Sequence, residues 1–185
     1  MKKFFKNLLT GQKECDIIKV YQRGTHSKND GRGTNNMRVT QEADYAIRMC
    51  LILDKFGEKT GAATIADVAC ITPKIALKVL RKLNSAGIVR SYKGVQGGYE
   101  LARDGRELNI LEIVEVIDGP VRISKCLDCG HECSKNPCKT DCKMHIAFGA
   151  INQNLTESLS RITVRMLHDE NVSHADISNI FNKNI

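Results

Sequence analysis

The sequence predicts a mainly α fold with one small β-wing: a winged helix-turn-helix head followed by a long C-terminal dimerisation helix. Three observations predict it. Apolar residues recur at three- and four-residue steps after Thr40, after Thr72 and after Lys143. The Thr72 pattern follows a shorter helical one across a tight turn, which is the helix-turn-helix arrangement. Directly after it, two β-prone runs flank the tip Lys93-Gly94-Val95-Gln96-Gly97-Gly98, a hairpin in the place of a wing.

Each element has its own signal. Residues 1–36 show no sustained periodicity and end in a polar stretch rich in Gly and Asn, so they read as a disordered extension. Met37 is the expected start of translation, with Gly31-Arg32-Gly33 encodable by purine-rich codons like a ribosome-binding site. Thr40 is the expected N-cap of a helix burying Ala43, Ala46, Ile47, Cys50 and Leu53, and Gly57 stops it. Thr64 is expected to cap a short helix, Ile65 to Ala69. Thr72-Pro73 then starts a helix that buries Ile75 or Ala76, Val79, Leu80 and Leu83 and ends at Ala86-Gly87. Ile88 to Tyr92 and Tyr99 to Ala102 form the hairpin, and Asn109 caps a helix through Ile117 that Asp118-Gly119-Pro120 ends.

The domain reading is therefore a head at 37–120, a cysteine-rich sensing loop at 121–142, a helix at 143–168 reaching about Leu167, and a flexible tail at 169–185. In that helix Phe148, Ile151, Leu155, Leu159, Ile162 and Met166 are spaced 3, 4, 4, 3 and 4, a narrow stripe like a coiled-coil seam. It predicts a homodimer; the alternative is packing onto its own head.

Composition places the chain, 42% hydrophobic and 26% charged over 185 residues, among soluble globular proteins. No run has the apolar length of a membrane span, and Met1 to Leu9 lack a secretory apolar core, so the expectation is a cytoplasmic, non-exported protein. The net charge of +7 is lopsided: residues 1–36 hold eight basic and three acidic residues. The informative charge is local. From Val68 to Tyr99 there are Lys74, Lys78, Arg81, Lys82, Arg90 and Lys93 and no Asp or Glu. A helix starting at Thr72 that enters a major groove would present Lys74, Lys78 and Arg81 to phosphates or guanine edges, with Lys82 to the side. Arg90, Ser91 and Lys93 would flank the wing, and Gly97 and Gly98 would let its backbone approach a duplex. The competing reading is a winged helix used for protein contacts; a strip without carboxylates, which would repel phosphate, favours a double-stranded DNA operator. Scarce aromatics argue against a pocket for a large aromatic ligand, and neither a membrane nor a small-molecule substrate is expected.

Eight cysteines, five of them between Cys126 and Cys142, point in an intracellular chain to metal or redox chemistry. The loop carries Cys126, Cys129, His131, Cys133, Cys138 and Cys142, with His145 just beyond. Thiolates there could bind zinc, hold an iron–sulfur cluster or switch by disulfide formation. Cys50 and Cys70 read as core residues, and Cys15 lies in the extension.

Met37-Arg38-Val39-Thr40, Asp44-Tyr45-Ala46-Ile47-Arg48, Lys78-Val79-Leu80-Arg81-Lys82-Leu83, Ala86-Gly87-Ile88-Val89 and Ser91-x-x-Gly94-x-x-Gly97-Gly98-Tyr99-x-Leu101-Ala102 together resemble the Rrf2 family of bacterial winged-helix regulators, from Met37 to about Met166. The resemblance implies a homodimer joined by the long helix, palindromic DNA, and an iron–sulfur cluster held through three cysteines. It assigns these to Cys126, Cys133 and Cys142, with Cys138 the chief competitor and Cys129 and His145 as further candidates. Cys142-x-x-His145-x-x-Phe148 is similar to the family's third cysteine, histidine and aromatic. One departure is Ile75-Ala76-Leu77-Lys78 where family members often carry Tyr-Leu-Glu-Gln, so no operator sequence carries over. The expected function is a DNA-binding transcription regulator, repressor or activator, switched by a 2Fe–2S or 4Fe–4S cluster. A zinc-bound or thiol/disulfide-switched regulator is the alternative, and an electron carrier a third. Against the third, the spacing is not the bacterial ferredoxin run. No acid, base and oxyanion set marks an enzyme.

Overall fold

A computed structural model describes residues 39–94, 96–128, 130, 132–133 and 141–182. The expectations for residues 1–36, Val95, Cys129, His131 and Cys138 lie outside the described residues.

Helix α1, Gln41–Phe56, begins where Thr40 Oγ1 accepts the Ala43 N–H and ends at Gly57, whose φ of 64° is the left-handed cap. Its inner stripe is Ala43, Ala46, Met49, Cys50 and Leu53. Helix α2, Ala62–Val68, starts earlier than Thr64 predicts and has no side-chain cap. Thr60 is the reason: its N–H and C=O both pair with Tyr99 at 2.9 Å, so the preceding residue is fixed as an extended bridge and the helix starts from there. Thr64 is left exposed inside the helix.

Helix α3, Pro73–Ser85, follows Thr72 and buries Ala76, Val79, Leu80 and Leu83, while Ile75 is half-buried. Gly87, at φ 72°, turns the chain into strand β1, Val89–Tyr92. Strand β2, Gly98–Leu101, returns antiparallel with Val89 opposite Leu101 and Tyr92 opposite Gly98. Helix α4, Ile110–Asp118, opens on a reciprocal cap: Asn109 Oδ1 accepts the Glu112 N–H and its amide donates to the Glu112 carboxylate. These elements share one apolar core. The architecture is a winged helix.

Helix α5, Lys143–Arg161, is shorter than the predicted 143–168 element. Beyond Arg161 the backbone extends and pairs with the head: the Ile110 N–H donates to Ile162 O, and the Val164 N–H to Leu108 O, both at 2.9 Å. Val164 is thereby fully buried in the head core, and Leu159 and Ile162 pack against it. Ile162 and Met166 therefore do not continue a helical seam.

A 3-10 turn, Arg165–Leu167, leads into a buried ion cluster. The Asp54 side chain is only 4% exposed; it accepts from Arg165 Nε at 2.7 Å and Nη2 at 2.9 Å, from the Gly105 N–H, and lies 2.6 Å from His168 Nε2. The tail expected to be flexible contains helix α6, His174–Asn182, opened by a reciprocal Ser173–Asp176 cap. Among the described residues no helix is long and apolar enough to cross a membrane.

Candidate nucleic-acid interface and cysteine segment

The amphipathic pattern of α3 that buries Ala76, Val79, Leu80 and Leu83 necessarily turns the intervening residues outward. Thr72, Lys74, Lys78 and Arg81 are exposed, and Lys82 is half-buried at the edge, as its position one step round the helix predicts. On the hairpin Arg90, Ser91 and Lys93 are exposed too. Lys59, which the sequence reading passed over, joins them: its ammonium lies 4.7 Å from the Tyr92 ring centroid, a cation–π contact that extends the basic surface of the wing. The Tyr92 hydroxyl donates to Glu100, and that bond, first among the causes, pushes its ionisation above the ordinary phenol value.

The wing glycines have a structural duty. A Cβ on Gly97 would sit 2.4 Å from Tyr92 O, and one on Gly98 would sit 2.8 Å from Thr60 O. Both are demanded by closure of the hairpin and by the Thr60 bridge, independently of any ligand.

The strip from Val68 to Tyr99 has no acid of its own, but folding brings one to it. Glu42, in the first turn of α1, lies 2.9 Å from Lys78 Nζ through Oε2 and 2.9 Å from Lys82 Nζ through Oε1. Hydrogen bonding to Lys82, then to Lys78, holds its carboxyl below the usual carboxylate value. A residue 36 positions upstream of its partner carries no local signal; only the packing of α1 on α3 reveals it.

The end of α4 is tied to the same region. Thr40 Oγ1 donates to Asp118 at 2.6 Å, and Lys82 Nζ reaches Ile117 O at 3.4 Å. Past Pro120 the chain is held instead by α5: the Asn152 amide donates to Val121 O at 3.1 Å and its oxygen accepts the Ile123 N–H at 3.0 Å. Cys126 follows in a short 3-10 turn, Lys125–Leu127, half-buried with Ser124 Oγ 3.2 Å from its sulfur. Cys133 is half-buried, and Cys142 is the N-cap residue of α5 without making a side-chain cap.

His145 lies one turn into α5, and its Nδ1 is buried with no hydrogen-bond partner among the described residues. Soft thiol donors and an unpartnered imidazole nitrogen fit a thiolate-ligated metal centre by type. Among the described residues, however, no three His, Cys, Asp or Glu side chains converge as metal ligands, so Cys126, Cys133 and Cys142 are not brought together. Cys50 is core, as expected: burial, and then the Asp54 charge, push its thiol up to about 12. Cys70 is not core. It is exposed, at φ 53°, in the turn between α2 and α3, because the chain must reverse there before Thr72 can start the next helix.

The profile of the Rrf2 family, described as "Iron-dependent Transcriptional regulator", matches residues 39–170. The chain belongs to the Rrf2 family. Among its relatives is the HTH-type transcriptional regulator NsrR of Bacillus subtilis, 30% identical over 104 residues, which are 55% of this chain and 68% of that protein. A Mycobacterium tuberculosis protein named as an HTH-type transcriptional regulator is 37% identical over 87 residues, 46% of this chain and 54% of its own. The chain thus spans about half the length of the latter. Among solved structures, CymR, the global cysteine regulator of B. subtilis, superposes with a TM-score of 0.58 at 21% identity, covering 71% of this chain and 96% of that one. That likeness establishes the Rrf2 fold. The relatives are named as regulators, not enzymes.

Proposed function

We propose that this Rrf2 chain is a homodimeric, sequence-specific DNA-binding transcription regulator whose cysteine segment holds an iron–sulfur cluster. The observation that carries the DNA reading is the exposed row Thr72, Lys74, Lys78 and Arg81 on α3, next to Arg90, Ser91 and Lys93 on the wing. Lysine and arginine on a helix of this exposure meet phosphates and guanine edges in a major groove. The dimer reading rests on α5, where Met144 and Ile151, two turns apart on one face, are more than half exposed at 67% and 52%. Two heads joined through that helix would meet two half-sites about one helical turn apart.

The cluster reading is supported by the iron in the family description and by the donors themselves. Cys126, Cys133 and Cys142 would hold it, with His145 the further candidate, and it would supply a centre sensitive to oxidants. This chain's own part in a switch is a joint. Thr40 and Lys82 fix the end of α4 to the head, and Asn152 fixes the start of the cysteine segment to α5. With the far end of α5 tied to the head through Ile162 and Val164, the segment would adjust the near end of that helix, and hence the spacing of two recognition helices.

The test has two arms. Duplexes selected from a random pool should bind the native protein, and Lys74→Ala with Arg81→Ala should weaken that binding and flatten its salt dependence by about two units of slope. Protein purified without oxygen should absorb visible light, and serine at Cys126, Cys133 or Cys142 should remove the colour while serine at Cys50 leaves it. Unchanged salt dependence would reject the interface. A colourless protein carrying stoichiometric zinc would reject the cluster.

A further inference from the structure

Glu42 puts an acidic group against the face that the preceding section assigns to DNA. Lys78 and Lys82 are one helical turn apart, so their ammonium groups repel each other unless an anion lies between them. The Glu42 carboxylate lies there, with one oxygen 2.9 Å from each nitrogen. Two oxygens sharing one negative charge are also what a phosphodiester offers to a pair of lysines. The arrangement is poised to exchange. Oε1 is sealed from solvent and leans on Lys82 Nζ at 2.9 Å. Lys78 has a side chain 64% exposed and is free to turn outward.

We propose that Glu42 is an internal competitor for the DNA phosphate: it occupies Lys78 and Lys82 in the unbound protein and weakens binding to duplex of any sequence. Non-specific binding is supplied almost wholly by phosphate contacts and the counterions they release. Withholding two lysines therefore lowers the non-specific background, and leaves discrimination to Lys74, Arg81 and Arg90, for which no ion pair occurs among the described residues. This rests on the DNA-binding reading.

Glu42→Gln tests it, with a random-sequence duplex as the probe and the affinity measured across a salt series. The variant binds more tightly at low salt, and its slope of log affinity against log salt is steeper by about one to two units. Equivalently, its advantage over the native protein shrinks by about ten- to a hundredfold for each tenfold rise in salt. In a Lys78→Ala, Lys82→Ala background the same change gives no gain, and Glu170→Gln, an equal charge change at an exposed site, gives none in the native background. Circular dichroism confirms that each variant folds. Equal or weaker binding by Glu42→Gln, or the same gain from Glu170→Gln, overturns the proposal and leaves DNA binding standing. If the native protein and the variant both ignore duplex at low salt, the DNA reading fails and the proposal falls with it.

Discussion

From Thr40 to Asp118 every helix turns a continuous apolar face into a shared core, whereas no described residue from Pro120 to Thr163 is fully buried. The two regions differ in what makes them ordered. The head buries enough apolar surface to fix its own geometry, and its basic residues are consequently held at defined positions on α3 and the wing. The cysteine segment and α5 have no such core. Among the described residues their anchors include polar ones, Asn152 on Val121 and Ile123 and Arg122 on Asp128 and Leu127 O, and the edge packing of Val121 and Leu159 on the head core. On the proposed function, such a segment would gain order from what it binds, a metal on its thiolates or a second copy on α5. The contrast suits a regulator, with a rigid reader and an adjustable connector.

The largest expected effect lies in the head. Leu80 is fully buried at the centre of α3, and truncation to alanine both removes apolar contact and leaves a cavity. Leu80→Ala should lower the unfolding free energy by about 2–5 kcal/mol, read from the denaturant midpoint at unchanged slope. A loss below 1 kcal/mol would mean that the head is no better packed than the segment, and the comparison would break.

Next comes the tie that returns the chain to the head after α5. Asp54 is nearly inaccessible and faces Arg165 and His168, so Asp54→Asn takes from Arg165 its nearer anion, leaving Asp104 at 3.7 Å, and weakens the contact with His168. The expected cost is about 2–4 kcal/mol, below the fully buried limit because Arg165 is 30% exposed. The sign with pH follows from the depressed carboxyl. Burial is the largest influence and raises it, but the hydrogen bonds from Arg165 and His168 together outweigh burial. The contribution is therefore whole above the ordinary aspartate value of about 3.9, and it is lost as pH falls through the lower folded value. An acid melt of the native protein should show that loss and Asp54→Asn should not.

What was legible in the sequence follows the same division. Thr40, Thr72, Asn109 and Gly57 cap or end helices through bonds to residues three or four away, so a single stretch of sequence contains the whole signal. The hairpin was readable for the same reason. The end of α5 was not: Ile162 and Met166 keep a helical spacing, and what stops the helix is the distant backbone of Leu108 and Ile110. Glu42 escaped notice likewise, because its partners are brought by the packing of α1 on α3. Helix α6 is a different kind of miss, since Ser173 and Asp176 at cap spacing were there to be read. In the cysteine segment, residue types were legible and their assembly was not.

A smaller effect is expected at the entrance to α3. Thr72 Oγ1 accepts the Ile75 N–H at 3.4 Å, a long cap bond on an exposed residue. Thr72→Ala should cost about 0.5–1 kcal/mol in thermal or chemical unfolding, the low half of the range for N-caps. Because Pro73 already fixes the first turn, the helix should persist. A cost above 2 kcal/mol would show that this threonine holds more than its own helix.

The smallest effect on stability is expected in the segment, where the comparison is sharpest. In metal-free protein, Cys126→Ser should change unfolding free energy by no more than about 0.5 kcal/mol, since the site is half-buried and the serine hydroxyl can keep the contact with Ser124 Oγ. Reactivity should separate the two regions even though stability does not. Cys50, fully buried with its thiol pushed up to about 12, would be thiolate in only about one molecule in ten thousand at pH 8. Mass-spectrometric timing of iodoacetamide labelling should therefore find Cys126 modified in the native protein and Cys50 modified only on global unfolding. Equal labelling of both would show that the head opens as readily as the segment, and the contrast between a packed reader and an adjustable connector would not survive it.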